Sequence, residues 1–255
     1  MIQIDKIAYS SSLQENSPIV KCIFALGTLF LTISKRNWLF SLIVFFIMSY
    51  STVRNCRITF IEYCKVMLIP TIFLLLSTFA IIFNISKVPM EINLFYLWGY
   101  FIGIISKDII YAVNLVLVCI SSFSCLFFLS STTPLNDLIY LLRKCKVPWL
   151  FIELSVLIYR YIFVVDNMAK ATLLAQNCRL GNSTFKRKIK DISSLIVSVF
   201  VRSLNKSQKI YEAMEARCYN GKFEVLWERK KVSNKEKIFI GLYMIAIVSV
   251  YIFLK

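Results

Sequence analysis

Histidine is absent from the 255 residues of this chain. Its absence excludes catalysis by histidine and metal ligation by histidine within the chain. Charged residues make up only 17% of the chain, whereas hydrophobic residues make up 58%, above the roughly 45–50% of an ordinary soluble domain. This composition predicts a membrane-embedded body with a cytosolic appendage.

Motifs that carry enzyme chemistry are also missing. The six glycines form no GxxxxGKS/T loop, and the chain contains no GxSxG or HExxH pattern and no CxxC pair. Glu153 and Asp166 lie thirteen residues apart on one predicted helix, about 20 Å by helical rise, which is too far for joint acid–base work. We interpret each of them as the partner of a cation such as Arg160. The chain is therefore predicted to be non-catalytic and to hold no cofactor or metal.

Long apolar runs dominate what is present. Lys21 is the one interruption of the first run, and the runs together predict about five transmembrane helices, at residues 19–33, 38–53, 66–83, 109–130 and 238–254. An aromatic segment at residues 92–105 is broken by Gly99 and Gly103. It favours an interfacial or re-entrant helix, and its length leaves open whether it spans the membrane.

Amphipathic segments follow the fourth apolar run. Residues 148–181 and 190–216 predict two long helices, and a short helix begins near Thr133. The predicted fold is therefore all-α, a polytopic membrane protein with two or three cytosolic amphipathic helices. Its predicted segments are a transmembrane bundle at 1–131, a cytosolic region at 132–237 and a final transmembrane helix at 238–255.

The distribution of positive charge predicts the orientation. Twenty of the thirty Lys and Arg residues lie at residues 143–237, which carry +12 of the net charge of +16. A basic half is also found in nucleic-acid-binding proteins, but in a membrane protein it indicates the cytoplasmic side, and we expect no nucleic acid partner. Counting back across four spans from this region places the N-terminus on the cytoplasmic side as well, and a fifth span places the C-terminus outside.

Several motifs resemble one family of transport proteins over nearly the whole chain. The segments that carry the likeness are DKIAYSSSL with SPIVK, TTPLNDLIYLLRKCKVPWLFIELSVLIYRYIFVV, AQNCRLG, and FVRSLNKSQKIYEAMEARCYNG. The chain resembles the transmembrane T component of energy-coupling factor (ECF) ABC transporters, specifically the CbiQ type of cobalt and nickel uptake systems. An ECF T component that serves vitamin-binding subunits is the alternative.

The resemblance implies two short coupling motifs at helix ends, whose arginines contact ATPase subunits. The first corresponds to Cys178-Arg179-Leu180-Gly181, with an inserted leucine and with Cys in place of the family's Ala. The second corresponds to Ala216-Arg217-Cys218, in which Cys218 replaces the usual glycine. The resemblance leaves open whether Cys218 or Asn220-Gly221 supplies the left-handed residue at that helix end.

Physical chemistry supports a docking role for Arg179 and Arg217 independently of the family. A cation at a helix C-terminus complements the negative end of the helix dipole, and a guanidinium offers a rigid fork of donors to carboxylates. Ordinary helix-end charge is the alternative interpretation. By resemblance, the partners are two CbiO-type ATPase subunits, a metal-binding CbiM-type membrane subunit and a small CbiN-type subunit. The resemblance also implies a multi-pass protein of the plasma membrane.

Overall fold

The computed structural model describes residues 3–13, 16–56, 58–82, 84–86, 92–97, 100–104, 106–179, 184–221 and 234–253. Within these ranges, nine helices and three short strands follow one another in this order: α1 Gln3–Ser10, α2 Pro18–Lys35, α3 Trp38–Cys56, α4 Phe60–Ile82, β1 Asn84–Ser86, β2 Ile92–Leu97, β3 Tyr100–Ile104, α5 Ser106–Thr132, α6 Leu135–Lys144, α7 Trp149–Cys178, α8 Phe185–Glu215 and α9 Asn234–Phe253. Helices dominate, which confirms the predicted all-α membrane class.

Four helical segments are long and apolar enough to cross a bilayer: Pro18–Lys35, Trp38–Cys56, Phe60–Ile82 and Ile109–Thr132. The apolar part of α9, Gly241–Phe253, is shorter. Large hydrophobic side chains point outward from the spans, including Phe30, Ile69 and Phe73, each more than 70% exposed. Lipid is the solvent that such outward faces require, since they would aggregate in water.

The hairpin of α2 and α3 illustrates how the sequence sets helix ends. Pro18 occupies the start of α2, where its missing N–H group breaks no hydrogen bond. Arg36 ends α2 with a left-handed φ of 43°, and its N–H group donates to the carbonyl oxygen of Thr32 at 3.4 Å. This cap turns the chain directly into α3, which begins at Trp38.

Helix α5 is the centre of the membrane body, because α1, α2, α3 and α4 all pack against it. Two buried clusters join these helices, one around Phe24, Phe40, Met48 and Phe128, the other around Tyr63 and Phe127. Gly27 lies where α9 packs against α2, and a Cβ atom at that position would lie 2.9 Å from Cε at the flexible end of Met244, which would have to shift. Small residues are common at helix interfaces in membranes.

The prediction of a helix at residues 92–105 is wrong. Strands β1, β2 and β3 form an antiparallel sheet in the order β1-β3-β2, in which Ile85 pairs with Ile102 and Tyr96 with Phe101. Runs such as INLFYL and YFIGI are rich in aromatic and β-branched residues, which fit a pleated surface. Open sheet edges do not occur in the hydrocarbon region of a bilayer, so we expect this sheet to lie outside that region.

The chain divides into two compact units. One comprises residues 1–137 and 229–255, and the other comprises residues 138–228. The first unit contains the apolar bundle described above, whereas the second contains α7 and α8, which pack against each other. The second unit also carries both arginines that the sequence singles out.

Candidate functional site

Helices α7 and α8 form a long antiparallel hairpin. Near one end, the Tyr219 hydroxyl donates to Glu153 Oε1, and near the other end, Gln176 Nε2 donates to the carbonyl oxygen of Asp191 at 3.2 Å. The residues that make these contacts on α7 are 23 positions apart, about 35 Å at 1.5 Å per residue. Arg179 and Arg217 therefore lie at opposite ends of one hairpin, although each follows the C-terminus of a helix.

Arg179 is the residue that caps α7. Its φ is −94°, and its N–H group donates to the carbonyl oxygen of Gln176 at 3.1 Å. Arg179 and Cys178 are both exposed. Gly181, the last predicted residue of this motif, lies outside the described residues. Within the described part of the motif, the guanidinium is thus placed at an exposed helix end, as docking requires.

A Schellman motif ends α8. The N–H group of Tyr219 donates to the carbonyl oxygen of Met214 at 3.0 Å, and that of Cys218 donates to Glu215 at 2.9 Å. Cys218 itself is the left-handed residue, with φ of 61°, and Gly221 has a separate φ of 83°. The structure therefore assigns the helix-ending role to Cys218 rather than to Asn220-Gly221. Ala216, Arg217 and Cys218 are all exposed at this end.

Replacing Cys218 with glycine should stabilise this helix end. A left-handed conformation costs a residue with a Cβ atom about 1 kcal/mol, and glycine avoids that cost. We expect amide hydrogen exchange at residues 214–219 to slow by about fivefold, because local opening becomes less favourable. Cys218→Val should accelerate the same exchange, since a β-branched side chain tolerates this conformation poorly. Equal exchange in both variants would contradict the assignment.

The prediction that Glu153 and Asp166 each pair with a cation is confirmed for Asp166 and wrong for Glu153. Asp166 accepts from Lys170 Nζ at 2.6 Å, one helical turn further along α7, instead of from Arg160. Glu153 is only 5% exposed, and its partner is the Tyr219 hydroxyl, 66 residues away in the chain. A buried carboxylate that accepts a hydrogen bond costs far less free energy than one without a partner. The bond from Tyr219 to Glu153 therefore holds the α8 end of the hairpin against α7.

This contact raises the pKa of Tyr219 above its ordinary value, first because the hydroxyl donates to Glu153. A raised folded-state pKa means that the contact stabilises the hairpin fully below the ordinary tyrosine pKa of about 10. Its contribution is lost as pH rises through the higher pKa of the folded state. At neutral pH the contact is therefore at full strength.

Tyr219→Phe should loosen the α8 end of the hairpin. The substitution keeps the ring but removes the hydroxyl that Glu153 requires, so local opening becomes more frequent. We expect faster tryptic cleavage after Arg217, measured by mass spectrometry of the purified protein. Glu153→Gln should stay close to the wild type because its amide oxygen still accepts, and Tyr211→Phe is the control on an exposed tyrosine. Unchanged cleavage in Tyr219→Phe would show that the bond between Tyr219 and Glu153 does not hold this end of the hairpin closed.

Two cavities lie between α7 and α8. One has a volume of 380 Å³ and an almost wholly apolar lining that includes Leu157, Val164 and Met214. The other has a volume of 330 Å³ and is lined by Arg160, Arg217 and the polar Asn220 together with mostly apolar side chains. Sequence reasoning considered Arg160 only as a partner for a carboxylate on its own helix. Its position beside Arg217 comes from the antiparallel packing, which no local pattern reveals.

The hairpin also keeps an exposed apolar surface. A row on α8 at helical spacing, Ile192, Ile196, Phe200 and Leu204, is 43–63% exposed, whereas Leu195 and Val199 are half-buried. Helix α7 thus covers only part of the apolar face that the sequence predicted for α8. Among the described residues, no group of three or more Cys, Asp or Glu side chains is placed to hold a metal ion. The site consists of helix ends, cations and apolar faces, which suit docking.

Comparison with known proteins decides the family. A family model described as CbiQ, cobalt transport protein, matches residues 9–230. The chain belongs to this family. It is therefore a membrane-embedded component of cobalt transport, in agreement with the four helices that could span a bilayer.

Several relatives of this chain cover most of its length. A cobalt transport protein CbiQ of Rhodobacter capsulatus is 26% identical over 230 residues, covering 90% of this chain and 89% of the relative. An uncharacterized protein of Methanocaldococcus jannaschii is 30% identical over 96% of this chain and 91% of the relative. A protein of Methanocorpusculum labreanum described as a fused cobalt transport protein, CbiMQ, is 28% identical over 86% of this chain and 36% of the relative.

Proposed function

We propose that this chain is the transmembrane coupling (T) subunit of an ECF-type ABC importer for cobalt or nickel ions. In this role it catalyses no reaction itself. It transmits the conformational change of ATP-hydrolysing subunits to a membrane subunit that holds the metal ion. Cobalt or nickel is the cargo of the complex, and this chain supplies the mechanical connection.

The observation that carries the proposal is the placement of Arg179 and Arg217. Each is exposed at the end of a long helix, and the two lie at opposite ends of the same hairpin, whose end contacts at Glu153 and Gln176 are about 35 Å apart along α7. One partner protein could not easily surround both ends, whereas two ATPase subunits could each take one. We assign Gly181, Ala216 and Cys218 to the two coupling motifs together with these arginines.

The mechanism that follows is a rigid-body movement. Closure of two ATPase subunits would move the two ends of the hairpin relative to each other and change the tilt of α7 and α8. The exposed apolar row of α8, which includes Ile196 and Phe200, offers a surface through which that tilt reaches a membrane subunit. Packed helices transmit such displacements because their interfaces resist continuous deformation.

The proposed partners are two CbiO-type ATPases, a CbiM-type metal-binding subunit and a small CbiN-type subunit. The fused relative CbiMQ supports the CbiM-type partner, because a fusion brings two proteins together permanently. We further propose that the complex lies in the plasma membrane and that the coupling region, residues 132–237, is cytoplasmic. Exposed Cys178 and Cys218 make this testable: an impermeant maleimide should label them in inside-out vesicles and not in intact cells.

Co-expression with the partner subunits tests the proposal directly. A tagged chain should co-purify with two ATPase subunits and a CbiM-type subunit, and cobalt uptake should require ATP hydrolysis by the complex. Metal retained after purification should follow the CbiM-type subunit rather than this chain. A tagged chain that inserts into the membrane but retains no ATPase subunit would rule out the coupling role.

A further inference from the structure

The cavity at the α8 end of the hairpin contains a second cation that faces the same space as Arg217. Arg160 enters it from the middle of α7, whereas Arg217 enters it from the residues that follow α8. Leu157, Ile210 and Met214 supply apolar lining to the same cavity of 330 Å³. The cavity is therefore built by both helices and exists only when they are packed together.

The positive charge in this cavity is uncompensated within the part of the chain that the structure describes. The salt bridge that the described residues form joins Lys170 to Asp166 and involves neither Arg160 nor Arg217. The nearby carboxylate of Glu153 is buried and receives the Tyr219 hydroxyl. Both arginines are exposed, and Arg160 lies over the Tyr161 ring at 5.9 Å. Two like charges that share a cavity favour an anion between them.

Backbone acceptors do not take up this charge. The carbonyl oxygens of Met214 and Glu215, at the end of α8, already accept hydrogen bonds from Tyr219 and Cys218 in the Schellman motif. Within the part of the chain that the structure describes, neither the Arg160 nor the Arg217 guanidinium donates to these oxygens, so their donors stay available to an incoming ligand. Two guanidinium forks match the oxygen atoms of a carboxylate, and the apolar lining matches the methylene groups of a glutamate or aspartate side chain.

We propose that Arg160 and Arg217 together form one receptor for a carboxylate side chain of an ATPase subunit. This inference rests on the proposed coupling function and adds a second recognition residue to it. Charge complementarity selects the occupant, since an acidic side chain beside an apolar one satisfies both the cations and the lining. Because Arg160 belongs to α7 and Arg217 follows α8, the bound carboxylate would tie both helices of the hairpin to the partner.

A double-mutant cycle tests the shared receptor. The affinity of purified ATPase subunits should be measured for the full complex of membrane subunits in nanodiscs, with Arg160→Ala, Arg217→Ala and both substitutions. We expect each single substitution to weaken binding by about thirtyfold or more. The double variant should lose much less affinity than the product of the two single fold-losses, because both arginines bind the same carboxylate.

Two controls separate this inference from the coupling function itself. Arg179 lies at the far end of the hairpin, so Arg160→Ala and Arg179→Ala should act independently, and their losses should multiply. Arg202→Ala removes an exposed cation of α8 that does not line the cavity, and it should leave affinity unchanged. Failure of the wild-type complex to bind ATPase subunits would refute the proposed function. Normal wild-type binding combined with an Arg160→Ala variant that behaves like Arg202→Ala would refute only the shared receptor.

Charge reversal identifies the occupant. Arg160→Glu should abolish binding, and replacing the responsible acidic residue of the ATPase with lysine should restore it. A loss seen only in nanodiscs that contain anionic phospholipid would show a headgroup phosphate as the ligand and overturn the inference. Competition by millimolar inorganic phosphate with no rescue by any acidic-to-lysine change would likewise overturn it.

Discussion

Cobalt uptake should fall nearly to background when Arg179 and Arg217 are both replaced with alanine. Each arginine is exposed in the chain itself and would become partly desolvated against carboxylates of an ATPase subunit. Truncating one partner of such a charge pair costs about 2–5 kcal/mol. Because the two residues lie at opposite ends of the hairpin, the losses fall on separate contacts and should add.

The single variants should weaken transport before they dissociate the complex. We expect each single alanine variant to retain ATPase subunits through the remaining contacts while coupling ATP hydrolysis to uptake less well. Arg→Lys should rescue only partly, because an ammonium group lacks the planar fork of donors. Membrane insertion should be unchanged, since neither residue lies in a helical segment able to span the bilayer.

Uptake must be normalised to membrane-inserted protein, and Arg202→Ala provides the matched control on α8. If the double alanine variant transports cobalt like the wild type, Arg179 and Arg217 are only helix-end charges. The coupling assignment of both helix ends would then be wrong, whatever the family of the chain.

The spanning helices were largely predictable because lipid imposes a simple rule on them. Continuous apolar runs of sufficient length form helices there: α2 and α3 contain the runs read from the sequence, and α4 covers residues 66–82 of the third run. Their ends were less predictable: α4 starts at Phe60, before the apolar run itself begins. The strands β2 and β3 were missed because an aromatic run fits an interfacial helix as well as a sheet, and the pairing of β3 with both β1 and β2 decides the outcome.

The candidate site was predictable only where its signal is local. Arg179 and Arg217 follow helix ends that the pattern of residues reveals, and the structure places both there. The contact between Glu153 and Tyr219 joins residues 66 positions apart, so nothing near either residue announces it. Arg160 was missed for the same reason. The role of Arg160 depends on the antiparallel packing of two long helices, which brings Arg160 and Arg217 into the shared cavity.

Lys21→Glu should prevent the membrane unit from folding. Lys21 interrupts an apolar run, yet it is only 3% exposed, and its Nζ atom donates to the carbonyl oxygen of Thr132 at 3.0 Å. Thr132 is the last residue of α5, where carbonyl groups lack helical partners and form the negative end of the dipole. A second side chain, Cys56 at the end of α3, donates its Sγ–H to Ser131 at 3.5 Å. The end of α5 is thus held by side chains from two neighbouring helices.

A glutamate at position 21 would place a carboxylate against these carbonyl oxygens, which costs several kcal/mol because it is buried among acceptors. Lys21→Met keeps the packing but leaves the Thr132 carbonyl oxygen without this donor, at about 1–3 kcal/mol, so its effect should be intermediate. The measurement is the yield of monodisperse protein from membranes, with its thermal unfolding midpoint in detergent. Lys65→Glu reverses an exposed charge in the same unit and should be tolerated. Equal yields and midpoints for Lys21→Glu and Lys65→Glu would show that the Lys21 contact does not hold α5.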